Sequence, residues 1–376
     1  MARTGYLAAS DAPLSSAFDV LMLDLDGTTY LGRVPAPYAP EALAQAKAEG
    51  ARAVYLTNNS GRPSAVVAEH LTEIGIPTAA EEVINSSQVA AHELRKILPL
   101  SAKVLLVGDT GVREAFTQAG FSVVTSADDE PDAVIQGLGE KLTWSDLSEA
   151  VLAIHRGAAH YATNLDATIP KERGPMIGNG SFVACVSHAT GSHPVSFGKP
   201  EPHIFAMASE KYEARRPLAV GDRLDTDIEG ARRAEIPVMH VLTGVTSARD
   251  IWLAPEHLRP DFLAIDLRDL NEPHLSVEES ANSEFENLHS FTCGGSEVQL
   301  AHASNGLELH IREGEAEPIT IPLGSEATEA VAVTLNLDSY RAGAAALWEA
   351  ADRLAAGSDL TLPEINVVRA KSRRTA

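Results

Sequence analysis

The chain is poor in cysteine. Cys185 and Cys293 are the only two in 376 residues, which leaves no disulfide framework or cysteine-based zinc site and fits a reducing, cytoplasmic setting. Positive charge is short as well. Against 52 Asp and Glu stand 30 Lys and Arg, a net charge of -22 that repels nucleic acid and anionic lipid, since both need clustered Lys and Arg. Neither nucleic acid nor membrane is therefore expected as a partner. The one basic cluster, Arg369, Lys371, Arg373 and Arg374 in "RAKSRRTA", reads as a frayed, solubilising end. Long apolar runs are missing too. The opening "MARTGYLAASDAPLSSAF" has no signal-peptide core, and no run approaches the ~18 residues of a membrane span. Repeats and low-complexity tracts are absent, which sets repeat architectures aside.

What is present is an ordinary globular composition, 44% apolar and 22% charged, in a chain long enough for two or three domains at roughly 150 residues each. From Phe18 to Ile76 the text alternates "VLMLDL", "APEALAQAKAEG", "RAVYLTNN" and "RPSAVVAEHLTEIGI". Strands alternating with amphipathic helices predict a parallel sheet covered on both faces. A second series follows, with "KVLLVG", "DAVIQGL", "HYATN" and a helix from about 179 to 189, before the first pattern resumes at "RPLAVGDRLDTDIEGARRA". The fold class expected is α/β: a doubly wound parallel-sheet core over 1–85 and 191–270, interrupted by an inserted α/β domain over 86–190. The polar, acidic stretch 271–287 reads as a linker. Beyond it, "EVQLAHA", "LELHIRE", "AVAVTLNL" and an Ala-rich helix from Ser339 to Ala356 predict a small α+β domain over 288–376.

Ligands of such sheets bind beyond the carboxyl ends of the strands, where Asp24, Asp26, Thr57 and Asn58 fall. Residues two apart on a strand point the same way, so Asp24 and Asp26 face one site, with Gly27 free to turn the chain. Two adjacent carboxylates repel each other and any anionic substrate. They call for a hard cation or a nearby lysine.

The motifs "DLDGTTY", "YLTNNS", "FGKPEP" and "VGDRLDTDI", in this order, resemble those of the haloacid dehalogenase (HAD) superfamily of phosphatases. "LTNNSGRP", an insertion placed after the second motif, and "YATNLDATIP" narrow the resemblance to the nitrophenylphosphatase-like, NagD-type branch over residues 18 to 270. The resemblance implies that Asp24 attacks phosphorus to form an aspartyl-phosphate, and that Asp26 protonates the leaving alcohol and then deprotonates water. It also implies Mg2+ held by the Asp24 carboxylate, the Asp26 main-chain carbonyl and the Asp222 carboxylate. Thr57 and the Asn58 backbone N–H hold the phosphoryl oxygens, and Lys199 neutralises charge on Asp24 and the transferring group. Asp227 either orients a metal-bound water or caps a helix that begins there.

The resemblance makes the insertion a cap that closes over the core and admits a small phosphorylated metabolite. In its loop "TNLDAT", Leu165 replaces the family's proline, and Asn164 and Asp166 either face substrate or form an Asx turn. Asp109 in "VLLVGDTGVREAF" mimics a metal ligand but reads as a helix cap, "GNG" at 178–180 as the turn into a helix, and His188 and His193 as surface or loop residues. The tail weakly resembles a fragment of a Gcn5-type acetyltransferase, an extension also carried by bacterial glycerol 3-phosphate phosphatases. That makes glycerol 3-phosphate the first choice of substrate. No Gly-rich acetyl-CoA loop is evident, so the tail is expected to serve assembly or regulation, with a homo-oligomer through cap or tail among the expectations. The alternative is a different phosphometabolite, or a regulator that binds one and turns it over incidentally.

Overall fold

A computed structural model of the protein describes residues 6–171, 173–281, 289–303, 306–323, 332–353 and 361–369. Its central sheet is six-stranded and parallel throughout, in the order Phe262–Ala264, Val238–Val241, Pro217–Gly221, Val20–Leu23, Arg52–Thr57, Val83–Asn85. The strand Val20–Leu23 is buried at every position, as its unbroken apolar run requires of a strand covered on both faces. Leu21 and Leu23 enter one apolar cluster and Val20 and Met22 the other, so both faces of the sheet are packed. Leu23 pairs with Val220 on one side and with Tyr55 on the other. The residues that follow on the three strands therefore emerge together at one edge.

A second parallel sheet, ordered Val195–Ser196, Ala159–Ala162, Ala133–Gln136, Lys103–Val107, Ser122–Val124, builds the insertion. Its edge strand Val195–Ser196 lies past the expected end of the insertion at residue 190. Val104, Leu106, Phe116 and Ile135 belong to the same buried cluster as Val20, Met22 and Val54 of the central sheet, so the insertion shares apolar packing with the core. A hairpin, Thr168–Lys171 with Gly174–Ile177, projects from this unit. Its prolines Pro170 and Pro175 face each other in register, a placement tolerated only in edge strands.

The C-terminal unit is an antiparallel sheet ordered Glu278–Ala281, His289–Cys293, Ser296–Ala303, Gly306–Glu313, Ile319–Leu323, with a parallel pair Val333–Asn336 and Ile365–Val368. The expected linker thus contains a strand. Glu278, Glu279 and Ser280 are exposed at the sheet edge, so no apolar alternation marked them. The helix Leu337–Arg353 is buried on all sides from 339 to 350, because it lies between this sheet and the core: Trp252 and Leu263 of the core share its cluster with Phe291 and Leu309 of the sheet. Arg369, expected in a frayed end, is clasped by Asp269 at 3.0 Å and Glu272 at 3.1 Å; residues 370–376, with the other basic residues of that end, lie outside the described residues. Among the described residues no helix is long and apolar enough to cross a membrane.

Candidate active site

Asp24 leaves its strand with its main-chain N–H on the Val220 carbonyl at 2.8 Å, and Lys199 Nζ lies 2.5 Å from its Oδ1. The same ammonium reaches Asp227 Oδ1 at 2.6 Å and the Leu56 carbonyl at 3.2 Å. Lys199 is 4% exposed. Burial alone would lower its pKa, but Asp227 and Asp24 hold it above the ordinary lysine value.

Asp222, just past its own strand, accepts from Thr28 Oγ1 at 3.2 Å and from the Val245 N–H at 2.7 Å. Gly27 is required here. Its φ is +95°, and a Cβ would lie 2.5 Å from Asp222 Oδ2. Asp227 does not cap a helix, since it lies inside a single wide turn, Leu224–Ile228, and its Oδ2 accepts from the Arg223 N–H at 3.2 Å.

Carboxylate oxygens of Asp24, Asp222 and Asp227 lie within 4.8 Å of one another. Burial first, then Asp227, raises Asp222 to about 7; burial, Asp227 and Asp222 push Asp24 well up, against the pull of Lys199. Three carboxylates against one ammonium leave two negative charges, which a divalent cation balances. Buried, hard oxygen donors suit such a cation. Asp227, expected to orient a metal-bound water, therefore joins the expected ligands, the Asp24 and Asp222 carboxylates and the Asp26 main-chain carbonyl, as a candidate ligand.

Asp26 has a different partner. Its Oδ2 accepts from the Tyr30 hydroxyl at 3.3 Å, and burial raises its pKa against the opposing pull of that bond, Arg62, Lys199 and Lys171. Thr57 Oγ1 accepts from the Asn59 N–H at 3.0 Å, which leaves the hydroxyl proton to donate into the cleft.

Asn58 is a hub. Its carbonyl accepts from Ser86 Oγ and from Asn164 Nδ2, both at 2.7 Å, and its side chain bonds the main chain of Lys199 in both directions. Asn58 Nδ2 also donates to Asp166 Oδ1 at 3.3 Å. Asn164 Oδ1 in turn accepts from the Asp166 N–H at 3.2 Å, the Asx turn weighed from sequence, while Leu165 between them is exposed. Asp109 occupies the N-cap position of Thr110–Gln118 without a capping bond; its Oδ2 takes the Glu140 N–H at 3.0 Å instead.

Two cavities meet at Asp26. A small one, about 80 Å³, is lined by Asp24, Thr57, Asp166, Lys199 and Arg223; a larger one, about 780 Å³, by Tyr30, Arg62, Lys171, Arg173, Ile169 and Met176. Asp26 lines both. Sequence reasoning passed over Tyr30 and Arg62 although they stand within "DGTTY" and "SGRP". It also missed Lys171 and Arg173, because the prolines of "TIPKERGPMI" disguise the hairpin.

The chain matches the haloacid dehalogenase-like hydrolase family over residues 21–122 and the HAD-hydrolase-like family over 196–270. It is 38% identical, over 334 residues covering 84% of this chain and 94% of the other, to the D-glycerol 3-phosphate phosphatase of Mycobacterium tuberculosis. A crystal structure of glycerol phosphate phosphatase from that organism, in complex with magnesium, superposes with a TM-score of 0.74 at 34% identity, covering 95% of both chains. The acid sugar phosphatase of Staphylococcus saprophyticus is 36% identical over 68% of this chain and 96% of its own. The 4-nitrophenylphosphatase of Thermotoga maritima gives a TM-score of 0.64 at 30% identity, over 69% of this chain and 98% of that one. Similarity of this extent along both chains means that the protein belongs to the haloacid dehalogenase-like hydrolases and is one of their phosphatases, a phosphoric monoester hydrolase.

Proposed function

We propose that the protein hydrolyses glycerol 3-phosphate with Mg2+ as cofactor, and that Asp24 and Asp26 divide the chemistry. The observation that carries the division of labour is the place of Asp26 at the junction of the two cavities. Phosphoryl oxygens fit the small cavity beside Thr57 and Lys199, and the leaving group fits the large one. A carboxyl at the boundary meets the bridging oxygen.

Asp24 Oδ attacks phosphorus and the bond to the leaving oxygen breaks, giving an aspartyl-phosphate. Burial raises the pKa of Asp26, and its protonated carboxyl gives its proton to the departing alkoxide. Asp26, now a carboxylate, takes a proton from water; that water attacks the acyl phosphate at phosphorus, releases inorganic phosphate and restores Asp24. Lys199 orients Asp24 and faces the charge of the transferring group. Asp24, Asp222 and Asp227 would hold Mg2+, which when bound would supply positive charge that favours the ionised Asp24 and offsets the phosphoryl oxygens.

The choice of glycerol 3-phosphate rests on the tail. The glycerol 3-phosphate phosphatase matches 84% of this chain, a share that reaches into the C-terminal unit, while the acid sugar phosphatase matches 68%. The size of the large cavity favours a second reading, a sugar phosphate. Hydrolysis of glycerol 3-phosphate, phosphoglycolate and hexose phosphates with Mg2+ separates them. The highest kcat/KM is expected for glycerol 3-phosphate, and a clear preference for a hexose phosphate would select the second reading.

A further inference from the structure

Asp222 is held in place by a loop from the next strand. Its Oδ2 accepts the Val245 N–H at 2.7 Å, and its carbonyl accepts the Thr246 N–H at 3.3 Å. Thr246 Oγ1 accepts the N–H of Leu224, which opens the turn carrying Asp227, at 3.3 Å. Thr243 Oγ1 donates to the Gly27 carbonyl at 2.7 Å, so the loop also ties down the turn after Asp26. Val245 itself is 67% exposed. With little apolar burial of its own, such a loop belongs to the low-stability end of a fold unless its ends are fixed.

Its far end runs into the short helix Ala248–Trp252, capped by Ser247 Oγ on the Asp250 N–H at 3.2 Å. A helix of this length does not hold its own position. The C-terminal helix Leu337–Arg353 holds it. Trp252 Nε1 donates to the Tyr340 carbonyl at 3.0 Å, and Trp348 Nε1 donates to the Ile251 carbonyl at 2.9 Å. The rings of Trp252 and Tyr340 stack with centroids 6.1 Å apart. Gly343 is the point of closest approach, since a Cβ there would lie 2.3 Å from Trp252 Cζ2.

We propose that the C-terminal unit sets the metal affinity of the phosphatase site, with Trp252 as the positioning residue that transmits its docking to Asp222. Trp252 touches neither substrate nor metal. By fixing the end of the loop it keeps the Val245 N–H on Asp222 Oδ2 and the carboxylate in its place beside those of Asp24 and Asp227. A loop released from this anchor samples arrangements in which Asp222 is misdirected, and the cation must then select the competent one from that mixture. The inference rests on the reading of Asp222 as a metal ligand.

The test uses the full-length chain. Trp252→Phe removes the indole N–H while keeping a ring, and Gly343→Ala pushes a methyl against the Trp252 ring. Loss of a partner that orients a ligand typically weakens metal binding by 10–100-fold, so Mg2+ affinity measured by calorimetry is expected to fall at least about tenfold in both variants. Turnover at saturating Mg2+ and KM for substrate should stay within about twofold. Phe116→Leu, a core truncation in the insertion, supplies the comparison: it should lower the melting temperature and leave Mg2+ affinity unchanged. Wild-type Mg2+ affinity in both Trp252→Phe and Gly343→Ala would overturn the proposal, as would an equal loss of affinity in Phe116→Leu. Asp222→Asn binding Mg2+ as tightly as the wild type would instead overturn the metal reading beneath it.

Discussion

Asp24 and Asp26 leave one strand end together, yet Lys199 lies 2.5 Å from the first and the Tyr30 hydroxyl 3.3 Å from the second. A buried ammonium favours the ionised carboxylate that a nucleophile needs, while burial raises the pKa of the Asp26 carboxyl against the opposing pull of the Tyr30 hydroxyl. Asp26→Asn should therefore cost roughly 10²-fold or more in turnover of an alkyl phosphate, a usual size for general acid–base catalysis. The loss in the first step should shrink with nitrophenyl phosphate, whose leaving group departs without a proton. Rapid-mixing measurements of both substrates check this, and equal losses in intermediate formation would contradict the role given to Asp26. Asp24, Asp26, Lys199 and Asp222 were legible because each stands in a local motif at a strand end. Val245 was not, because its N–H meets Asp222 from 23 residues away and nothing in its own neighbourhood of the sequence marks it.

Central strands such as Val20–Leu23 were legible as elements because burial on both faces demands an unbroken apolar run. Glu278–Ala281 was not, because an exposed edge strand needs no apolar alternation, and the Thr168–Lys171 hairpin was hidden by its prolines. The segment that crosses from the core to the C-terminal unit carries a consequence for acid stability. His274 Nε2 donates to the Asp269 carbonyl at 2.9 Å, and Nδ1 accepts from Arg341 at 3.2 Å. Burial, then the Arg341 charge, lowers its pKa to about 3. As pH falls below the ordinary histidine value of about 6.5, the unfolded chain takes up a proton that the folded chain refuses. Stability is thus lost between that value and about 3, with a slope on the order of 1 kcal/mol per pH unit from this residue. Urea unfolding at pH 7 and pH 5 should show a smaller acid loss in His274→Gln, whose amide retains a donor and an acceptor; identical losses would contradict the assignment.

At the scale of the whole molecule, a chain with net charge -22 gathers Arg62, Lys171, Arg173 and Arg223 around two joined cavities. In the larger cavity Arg33, Arg62, Lys171 and Arg173 outnumber Asp26 and Glu140, so its mouth favours the approach of a phosphate dianion to an otherwise acidic protein. The central sheet brings Asp24, Thr57 and Asp222 to one edge, the insertion roofs that edge with Asp166 and the 168–177 hairpin, and the C-terminal unit braces it through Trp252. In the mechanism proposed above all of this serves an attack by Asp24 on phosphorus, and the covalent intermediate is the direct test. Nitrophenyl phosphate labelled in its phosphate, whose leaving group departs without a proton from Asp26, should be mixed with Asp26→Asn enzyme and Mg2+, then quenched in acid. Label is predicted on the protein, in the peptide that contains Asp24, and absent when Asp24→Asn is added to the same chain. Continued turnover by Asp26→Asn with no label on the protein, or label that persists without Asp24, would contradict the account.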